Sequence, residues 1–238
     1  MSDHTRRVVV AIDGPSGAGK STIARRLAGR LGFTYIDTGA MYRAVALWAI
    51  RQCVDLADMH RLEQLALAAE FELSPGRIGL NGEDITDAIR TQQVADGASR
   101  VSAIPAVRRA LVAKQRAIGE RTSVVMEGRD IGTVVFPLAD VKIYLDADPR
   151  ERVRRRLCDI RASGGDIAEA ELAAQMKERD ERDATRSDAP LSQAPDAVYL
   201  DSTPLSADEV EEAILRIVRA RVTNGKELKK ETGDRSKE

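Results

Sequence analysis

The sequence predicts an α/β fold built on a central parallel sheet, and three observations support that prediction. Short apolar runs that fit buried strands recur along the chain, and helical patterns separate them. The runs are apolar at consecutive positions, which is typical of strands covered by helices on both faces. A glycine-rich turn follows the first run directly. We therefore expect three layers, with a five-stranded parallel sheet in the middle.

Each element has its own signal in the chain. Apolar runs predict strands at residues 7–12, 33–36, 123–126, 141–145 and 198–200. Helical periodicity predicts helices at residues 21–31, 41–52 and 207–222. Residues 71–90 hold Ser-Pro-Gly and Asn-Gly turn signals among short alternating segments, which predicts a small antiparallel insertion. Residues 150–186 are rich in arginine and are interrupted at Ser163-Gly164-Gly165, which predicts two helices joined by a hinge, as in a lid.

Length and charge limit the possible classes of protein. The 238 residues are enough for one domain with small inserted lobes, and residues 224–238 are rich in charge, which predicts a disordered tail at 223–238 after a domain at 1–222. A net charge of -1 and 3% aromatic residues argue against nucleic-acid binding. The longest apolar stretch, residues 44–50, is too short to span a membrane. With a polar start before the first strand, these features predict a cytoplasmic protein, and we expect a monomer.

The cysteines and histidines carry little chemistry. Cys53 and Cys158 lie in helical patterns without metal-ligand spacing, which predicts two buried thiols rather than a disulfide. His4 and His60 are the only histidines, so chemistry that depends on histidine is poorly supplied.

A phosphate-binding loop stands between the first strand and the first helix. It is the segment Gly14-Pro15-Ser16-Gly17-Ala18-Gly19-Lys20-Ser21, which matches G-x-x-x-x-G-K-[ST], followed by Thr22. Its glycines let backbone N–H groups turn towards phosphate oxygens, and the helix adds its positive end. We expect Lys20 to reach the β- and γ-phosphates and the Ser21 hydroxyl to bind Mg²⁺. The loop therefore predicts a site for ATP with Mg²⁺ as its cofactor.

The loop alone does not separate kinases from other nucleotide-binding proteins. A GTPase needs a base-reading Asn-Lys-x-Asp motif, and the sequence has none. An ATPase motor would show an acidic pair closing a strand, whereas residues 141–146 end in a single Asp. The alternatives that stay open are a P-loop kinase of another small acceptor, such as a shikimate-like acid, and an ATP-binding regulator that transfers no phosphoryl group.

Arginines after the second and third strands predict a second anion site. Arg43 lies one turn into a helix that Asp37 or Thr38 would cap, where it could clamp a phosphate. Arg129 follows the third strand at the sheet edge where such folds bind ligands, although it could simply pair with Glu127 or Asp130.

The end of the predicted lid repeats this chemistry. Residues 179, 183 and 186 are spaced to place Arg179, Asp183 and Arg186 on one helical face, where they could grip a phosphate and a sugar. The ordinary alternative is a solvated helix laced with salt bridges.

The combined motifs resemble those of the bacterial cytidylate kinases, the CMP/dCMP branch of the nucleoside monophosphate kinases. The resemblance runs from about residue 8 to 222, and its motifs are residues 12–21, 37–43 (Asp-Thr-Gly-Ala-Met-Tyr-Arg) and 127–137 (Glu-Gly-Arg-Asp-Ile-Gly-Thr-Val-Val-Phe-Pro). Adenylate and guanylate kinases share the phosphate loop but not the other two motifs. The resemblance implies transfer of the γ-phosphoryl group of ATP to CMP or dCMP.

The resemblance also implies roles for individual residues. Cytosine would be read by Ser99, Arg108 and Asp130; the acceptor phosphate would be bound by Thr38, Arg43, Arg129 and Arg186; and the sugar would lie near Arg179 and Asp183. Lys20, Arg129 and Arg186 would be the catalytic residues. Residues 38–108 would form the monophosphate-binding lobe and residues 150–186 the lid, whose arginine nearest the transferred phosphate could be Arg154, Arg155 or Arg156, with Arg155 chosen for the ATP site.

Overall fold

The computed structural model describes residues 7–74, 76–162 and 164–233, and its elements follow the predicted order. The strands are β1 (Val9–Asp13), β2 (Thr34–Asp37), β3 (Phe71–Ser74), β4 (Arg77–Leu80), β5 (Glu83–Asp84), β6 (Val124–Gly128), β7 (Val141–Asp146) and β8 (Val198–Asp201). The helices are α1 (Lys20–Leu31), α2 (Thr38–Arg51), α3 (Met59–Ala68), α4 (Gln92–Val101), α5 (Pro105–Gly119), α6 (Pro149–Ala162), α7 (Glu169–Thr185) and α8 (Ala207–Gly233).

The central sheet has five parallel strands in the order β2-β6-β1-β7-β8, which confirms the predicted fold class. In its register Ile12 of β1 lies between Glu127 of β6 and Ile143 of β7. The carboxyl ends of the strands therefore meet at one edge, where such sheets bind ligands.

Helices cover both faces of this sheet because its central strands are apolar on both sides. On one face Met41 of α2 and Leu111 of α5 pack with Met126 of β6. On the other face Leu27 of α1 and Ile214 of α8 pack with strand residues. Burying a side chain of this size contributes about 1.5–3 kcal/mol. Two such cores hold the sheet rigid and leave its carboxyl edge to the loops.

The long connection between β2 and β6 contains the predicted antiparallel insertion. Strands β3, β4 and β5 pair in that order, and Asn81 and Gly82 take positive φ values of 53° and 82° at the β4–β5 turn. Asn and Gly are the residues that best tolerate this conformation. A single 3-10 turn, Ala88–Arg90, then leads into α4.

The arginine-rich segment forms two helices, α6 and α7, as its pattern predicts. They share a small apolar core of Val153, Leu157, Leu172 and Met176. Gly164, with φ 80°, ends α6, and the Gly165 N–H donates to the Ile160 carbonyl at 2.9 Å. The break at this pair lets α7 fold back along α6.

Two predictions need correction or extension. Both cysteines are free but exposed, so the prediction of buried thiols was wrong: Cys53 follows the end of α2, and Cys158 lies on a helix whose buried residues are Val153 and Leu157. Helix α8 continues to Gly233, beyond the boundary at 222 where the charged composition predicts disorder; Lys and Glu are good helix formers. Residues 234–238 lie outside the described part of the chain.

No helix among the described residues is long and apolar enough to cross a membrane.

Candidate active site

A large cleft opens at the carboxyl edge of the sheet. Its volume is about 1600 Å³, and the phosphate loop, α2, α4, the end of β6 and both lid helices line it. Pockets for one small ligand usually have roughly 300–1,000 Å³. The cleft therefore has room for two nucleotides.

The phosphate loop connects β1 to α1 and is held by close packing. Gly14 has φ 147°, and a Cβ there would lie 2.0 Å from the Leu145 carbonyl oxygen, so only glycine fits. Gly19, with φ 91°, begins α1 without a side-chain cap, so the first amides of the helix are not satisfied by a capping side chain. Such uncapped amides form an anion site.

Lys20 is buried in this loop, and its Nζ donates to the Pro15 carbonyl at 2.5 Å. Burial lowers its pKa to about 7; Arg129 acts in the same direction, and Glu127 opposes them. A bound phosphate would favour the charged ammonium, because an opposite charge raises the pKa of a lysine.

Oxygen ligands gather next to the loop around Glu127, which is 4% exposed. The Ser21 hydroxyl donates to Glu127 Oε2 at 3.0 Å, and the Tyr35 hydroxyl donates to Glu127 Oε1. Burial and then the neighbouring Asp37 raise the pKa of Glu127. Hard oxygen ligands of this kind suit Mg²⁺, and a nearby cation would favour the ionised carboxylate.

No three Asp, Glu, His or Cys side chains among the described residues form a metal cage. The site therefore fits a magnesium ion that keeps water and phosphate ligands, as Mg²⁺ does in nucleotide sites. Glu127 was absent from the predicted site residues, although its place at the end of a buried strand is a signal for it.

The second predicted motif opens α2. Asp37 caps the helix by accepting from the Ala40 N–H at 2.9 Å, and its other oxygen accepts from Arg43 Nη2 at 2.7 Å. Thr38 is buried and donates its hydroxyl to the Glu127 carbonyl at 2.7 Å. Asp37 therefore both caps α2 and holds Arg43, one turn further along the helix, at the cleft.

Arg129 points across the cleft towards the lid. Its Nε donates to Asp183 Oδ2 of α7 at 2.9 Å, and its Nη1 donates to the Gly128 carbonyl at 3.3 Å. Arg129 therefore does not form the local ion pair with Glu127 or Asp130 that the sequence also allowed. Asp183 is buried, so the pair ties the lid to the end of β6.

Two further arginines in the cleft have buried donors that make no hydrogen bond, the Nε of Arg179 and the Nη2 of Arg186. The Arg186 Nη2 nevertheless lies 3.7 Å from Asp130 Oδ1 in an ion pair. Burial lowers the pKa of Arg179 to about 10, and Arg129 lowers it further while Asp183 opposes. Buried donors left unsatisfied are costly, so a cluster of them predicts an anion that completes the site.

The residues expected to read the base also come together. Arg108 and Asp130 form a buried ion pair, and Asp188 Oδ2 lies 3.4 Å from Arg108 Nε. Ser99 is buried in α4, and its hydroxyl accepts from Arg182 Nη1 at 2.6 Å. Sequence reasoning missed Arg182 and Asp188, because an arginine or aspartate in a charged run carries no signal of its own.

The three candidate arginines of α6 are placed differently. Arg155 donates to the Ser202 carbonyl at 2.7 Å, and its Nη1 lies 3.8 Å from where a Cβ on Gly19 would be. Arg154 pairs with Glu151 and is 66% exposed, and both Arg154 and Arg156 also line the cleft. Arg155 is thus the one of the three that lies beside the phosphate loop.

Asp13, at the end of β1, supports the motif that carries Arg129 and Asp130. Its two carboxylate oxygens accept from the N–H groups of Ile131 and Gly132 at 2.8 and 2.7 Å. These amides begin a π-helical turn, Ile131–Val135. The sequence shows an aspartate directly before Gly14, but it does not reveal the contact of this aspartate with Ile131, which lies 118 residues further along the chain.

Comparison with known proteins supplies independent evidence. A family model described as cytidylate kinase matches residues 10–220. A cytidylate kinase of Solibacter usitatus (strain Ellin6076) is 73% identical over 225 residues, 94% of this chain and 97% of that protein. One from Pseudomonas aeruginosa (strain UCBPP-PA14) is 50% identical over 214 residues, with coverage of 87% and 93%. One from Azotobacter vinelandii (strain DJ / ATCC BAA-1303) is 48% identical over 222 residues, with coverage of 91% and 97%.

Proposed function

This chain belongs to the cytidylate kinase family, and from that premise we propose how its cleft moves the γ-phosphoryl group of ATP to CMP or dCMP. The family relationship makes the chain an ATP-dependent CMP and dCMP kinase that forms ADP with CDP or dCDP. The roles given to single residues below are our assignments. The observation that carries them is that buried arginine donors without hydrogen bonds, in Arg179 and Arg186, line the same cleft as the phosphate loop.

The donor nucleotide lies on the phosphate loop. The segment 14–22 wraps around its β- and γ-phosphates and offers them the backbone N–H groups from Gly17 onward, and Lys20 adds a charge at the same point. Arg155 approaches this nucleotide from the lid, next to Gly19.

The acceptor phosphate lies among Thr38, Arg43, Arg129 and Arg186, with Arg179 and Asp183 beside the sugar. A phosphate dianion there gives Arg186 a second anionic partner besides Asp130, and the sugar offers an acceptor to the unpaired Nε of Arg179. The phosphate charge also opposes the burial and the Arg129 repulsion that lower the pKa of Arg179. The bound phosphate also competes with Asp37 and Asp183 for the guanidinium groups that they hold.

Ser21 and Glu127 would hold the magnesium ion, Ser21 directly and Glu127 through the water ligands that Mg²⁺ keeps. When bound, Mg²⁺ neutralises phosphate charge and orients the triphosphate.

The reaction needs alignment and charge neutralisation rather than a base. The attacking group is an oxygen of the CMP phosphate, which is already anionic. Arg129 and Arg186 hold that oxygen in line with the γ-phosphorus, and Lys20 stabilises charge that builds on the transferred group. The absence of histidine among the site residues fits this requirement.

Cytosine selection rests on Ser99, Arg108 and Asp130. The Asp130 carboxylate and the Ser99 hydroxyl accept from the amino group of cytosine, and Arg108 donates to ring acceptors. Uracil carries a carbonyl at that position, which leaves two acceptors facing each other at a cost of roughly 1–3 kcal/mol.

The proposal extends to the arrangement of the whole chain. Residues 1–222 act as one kinase domain, with a monophosphate-binding lobe at 38–108 and a lid at 150–186. We expect a cytoplasmic monomer; light scattering of the purified protein measures its oligomeric state.

A coupled assay of ADP formation tests the proposed acceptor site. With MgATP and a panel of CMP, dCMP, UMP, AMP and shikimate, CMP and dCMP should react with the highest kcat/KM, and CDP should appear in step with ADP. ADP formation without phosphorylated acceptor, or faster reaction with AMP or shikimate, would contradict the assignments. Arg43→Gln should raise KM for CMP at least tenfold and leave KM for ATP within twofold.

A further inference from the structure

We propose that Asp180 and Arg152 are positioning residues that couple the ATP loop to the CMP site through helix α7. The inference rests on the proposed function, because it takes the phosphate loop as the ATP site and the arginine cluster as the CMP site. Neither residue belongs to the binding groups assigned above, and neither is among the residues that line the cleft.

The two residues hold one peptide segment of the phosphate loop from outside. Asp180 Oδ1 accepts from the Ser16 N–H at 3.2 Å, and Arg152 Nη1 donates to the Ser16 carbonyl at 3.0 Å. Arg152 and Asp180 also form an ion pair with each other, and their side chains are only 11% and 19% exposed. Both backbone groups of Ser16 are thus bound by the lid, one through each of its helices.

The phosphate loop packs closely against α6 and α7 around this contact. A Cβ on Gly17 would lie 2.9 Å from the Arg152 carbonyl oxygen and 2.9 Å from the Met176 Cε. Arg152 Nε also donates to the Ala147 carbonyl at 3.1 Å, which anchors the base of α6 at the end of β7. A change in the shape of the loop must therefore be transmitted to α6 and α7.

Helix α7 carries this change to the other site. Asp183, which binds Arg129, follows Asp180 by three residues, a rise of about 4.5 Å along one rigid helix. Arg179, with its free Nε, directly precedes Asp180. This turn of α7 thus contacts the phosphate loop through Asp180. Its residues on either side, Arg179 and Asp183, belong to the proposed CMP site, where Asp183 binds Arg129. When ATP orders the loop, Asp180 orients Arg179 and Asp183 for CMP.

The proposal predicts positive coupling between the two nucleotides, and coupling is reciprocal by thermodynamic linkage. Isothermal titration calorimetry should show that a non-hydrolysable ATP analogue with Mg²⁺ tightens CMP binding to the wild-type chain about fivefold or more. In Asp180→Asn, which loses the ion pair with Arg152, CMP alone should bind within threefold of wild type. The tightening by the analogue should fall to less than twofold.

The matched control is Glu181→Gln. Glu181 is the next residue of α7, and its side chain is 64% exposed and lies 3.8 Å from Lys177 Nζ. This variant should keep the full coupling. Arg152→Lys tests the other partner of the pair and serves if Asp180→Asn does not fold; it should also lose most of the coupling.

Several outcomes would overturn the proposal. Wild-type protein that binds CMP equally well with and without the analogue would do so, as would Asp180→Asn and Arg152→Lys variants that retain coupling. Loss of coupling in Glu181→Gln would also overturn it, because the effect would then not depend on the Ser16 contact. Failure of the wild-type chain to bind CMP at all would instead contradict the proposed function.

Discussion

At the scale of single residues, the cleft contains cations that burial disfavours and that a bound phosphate would satisfy. Lys20 and Arg179 have pKa values lowered to about 7 and about 10, each with desolvation as the largest cause and Arg129 as the next. The carboxylates Asp37 and Asp183 also lie in the cleft, but their direct ion pairs are with Arg43 and Arg129. The site is therefore built for anions that the chain itself does not supply.

Lys20 gives a prediction about pH. In the free protein part of the Lys20 population is neutral at pH 7, and most is neutral at pH 8, because its pKa is about 7. Bound ATP raises that pKa, so binding at pH 8 should take up close to one proton, whereas binding at pH 6 should take up little. ATP affinity should weaken as the pH rises from 7 to 9.

Calorimetry of ATP binding in buffers with different ionisation enthalpies measures this proton uptake. A Lys20→Gln variant, which cannot titrate, provides the control. Uptake that is the same at pH 6 and pH 8 would contradict the assigned role.

Asp130 gives a prediction about base selection. Asp130→Ala should lower kcat/KM for CMP by about 5- to 150-fold, because the cytosine amino group loses an acceptor worth roughly 1–3 kcal/mol. The affinity for ATP should stay within twofold, and the preference for CMP over UMP should shrink. Steady-state kinetics with both acceptors and calorimetry with ATP measure these effects. Equal losses for CMP and ATP would point to a general structural defect.

The residues of the cleft differ in how far the sequence could predict them. The positions of Lys20, Arg43 and Arg129 at the cleft were predictable because each stands near a strand end or helix start with a known geometry, whereas their roles stay predictions. Asp180 and Arg182 were not predictable, because they lie in a run of alternating charges where the side chains that face the cleft depend on how α7 docks. Cys158 was misassigned for the same reason: the buried side of α6 is set by its contact with α7.

At the scale of elements, the two helices of the lid and the lobe around β3–β5 face each other across the cleft. Gln92 of α4 donates to Gln175 of α7 at 3.4 Å, and Arg182 of α7 donates to Ser99 of α4. These contacts join the two inserted parts directly. Parallel strands and the hairpin were predictable because local patterns encode them, whereas these contacts join distant segments.

The elements predict closure that depends on both nucleotides. Because water in an open site would hydrolyse ATP, lid and lobe should approach each other when CMP and an unreactive ATP analogue are both bound. Fluorescence energy transfer between labels at Glu83 and Asp166 should report a shorter distance with both ligands than with either one. Both positions are exposed, and Cys53→Ser and Cys158→Ser must first remove the exposed native thiols.

The control for closure is the same labelled protein with ATP analogue and cytidine, which lacks the phosphate that the arginines hold. An unchanged distance with both nucleotides would refute closure. A full response with cytidine would show that the acceptor phosphate does not drive it.

Helices α1 and α8 give a prediction about stability. Glu211 of α8 is 2% exposed and pairs with Arg26 and Arg30 of α1. Glu211→Ala should lower the free energy of unfolding by about 1–3 kcal/mol, because a buried partner of two arginines is lost. Chemical denaturation measures this change. Glu212→Ala, on the exposed side of the same helix, should have little effect, and KM for CMP should be unchanged in both variants.

At the scale of the whole molecule, one sheet brings the phosphate loop and the arginine cluster to one cleft. The phosphate loop follows β1, and Arg129 follows the adjacent strand β6, so the parallel order of the strands places the proposed ATP and CMP sites next to each other. The lid then reaches both sites through α7. The fold class follows from the sequence because strand order and glycine geometry constrain it strongly. The pairing of charges across the cleft does not follow from the sequence, because it depends on how the lid packs against the rest of the domain.

A crystal structure with CMP and an unreactive ATP analogue tests this arrangement most directly. We predict that the guanidinium groups of Arg43 and Arg129 leave Asp37 and Asp183 at least in part and donate to the CMP phosphate, with one of its oxygens in line with the γ-phosphorus. A complex in which CMP is bound but both arginines point away from its phosphate would contradict the proposed acceptor site.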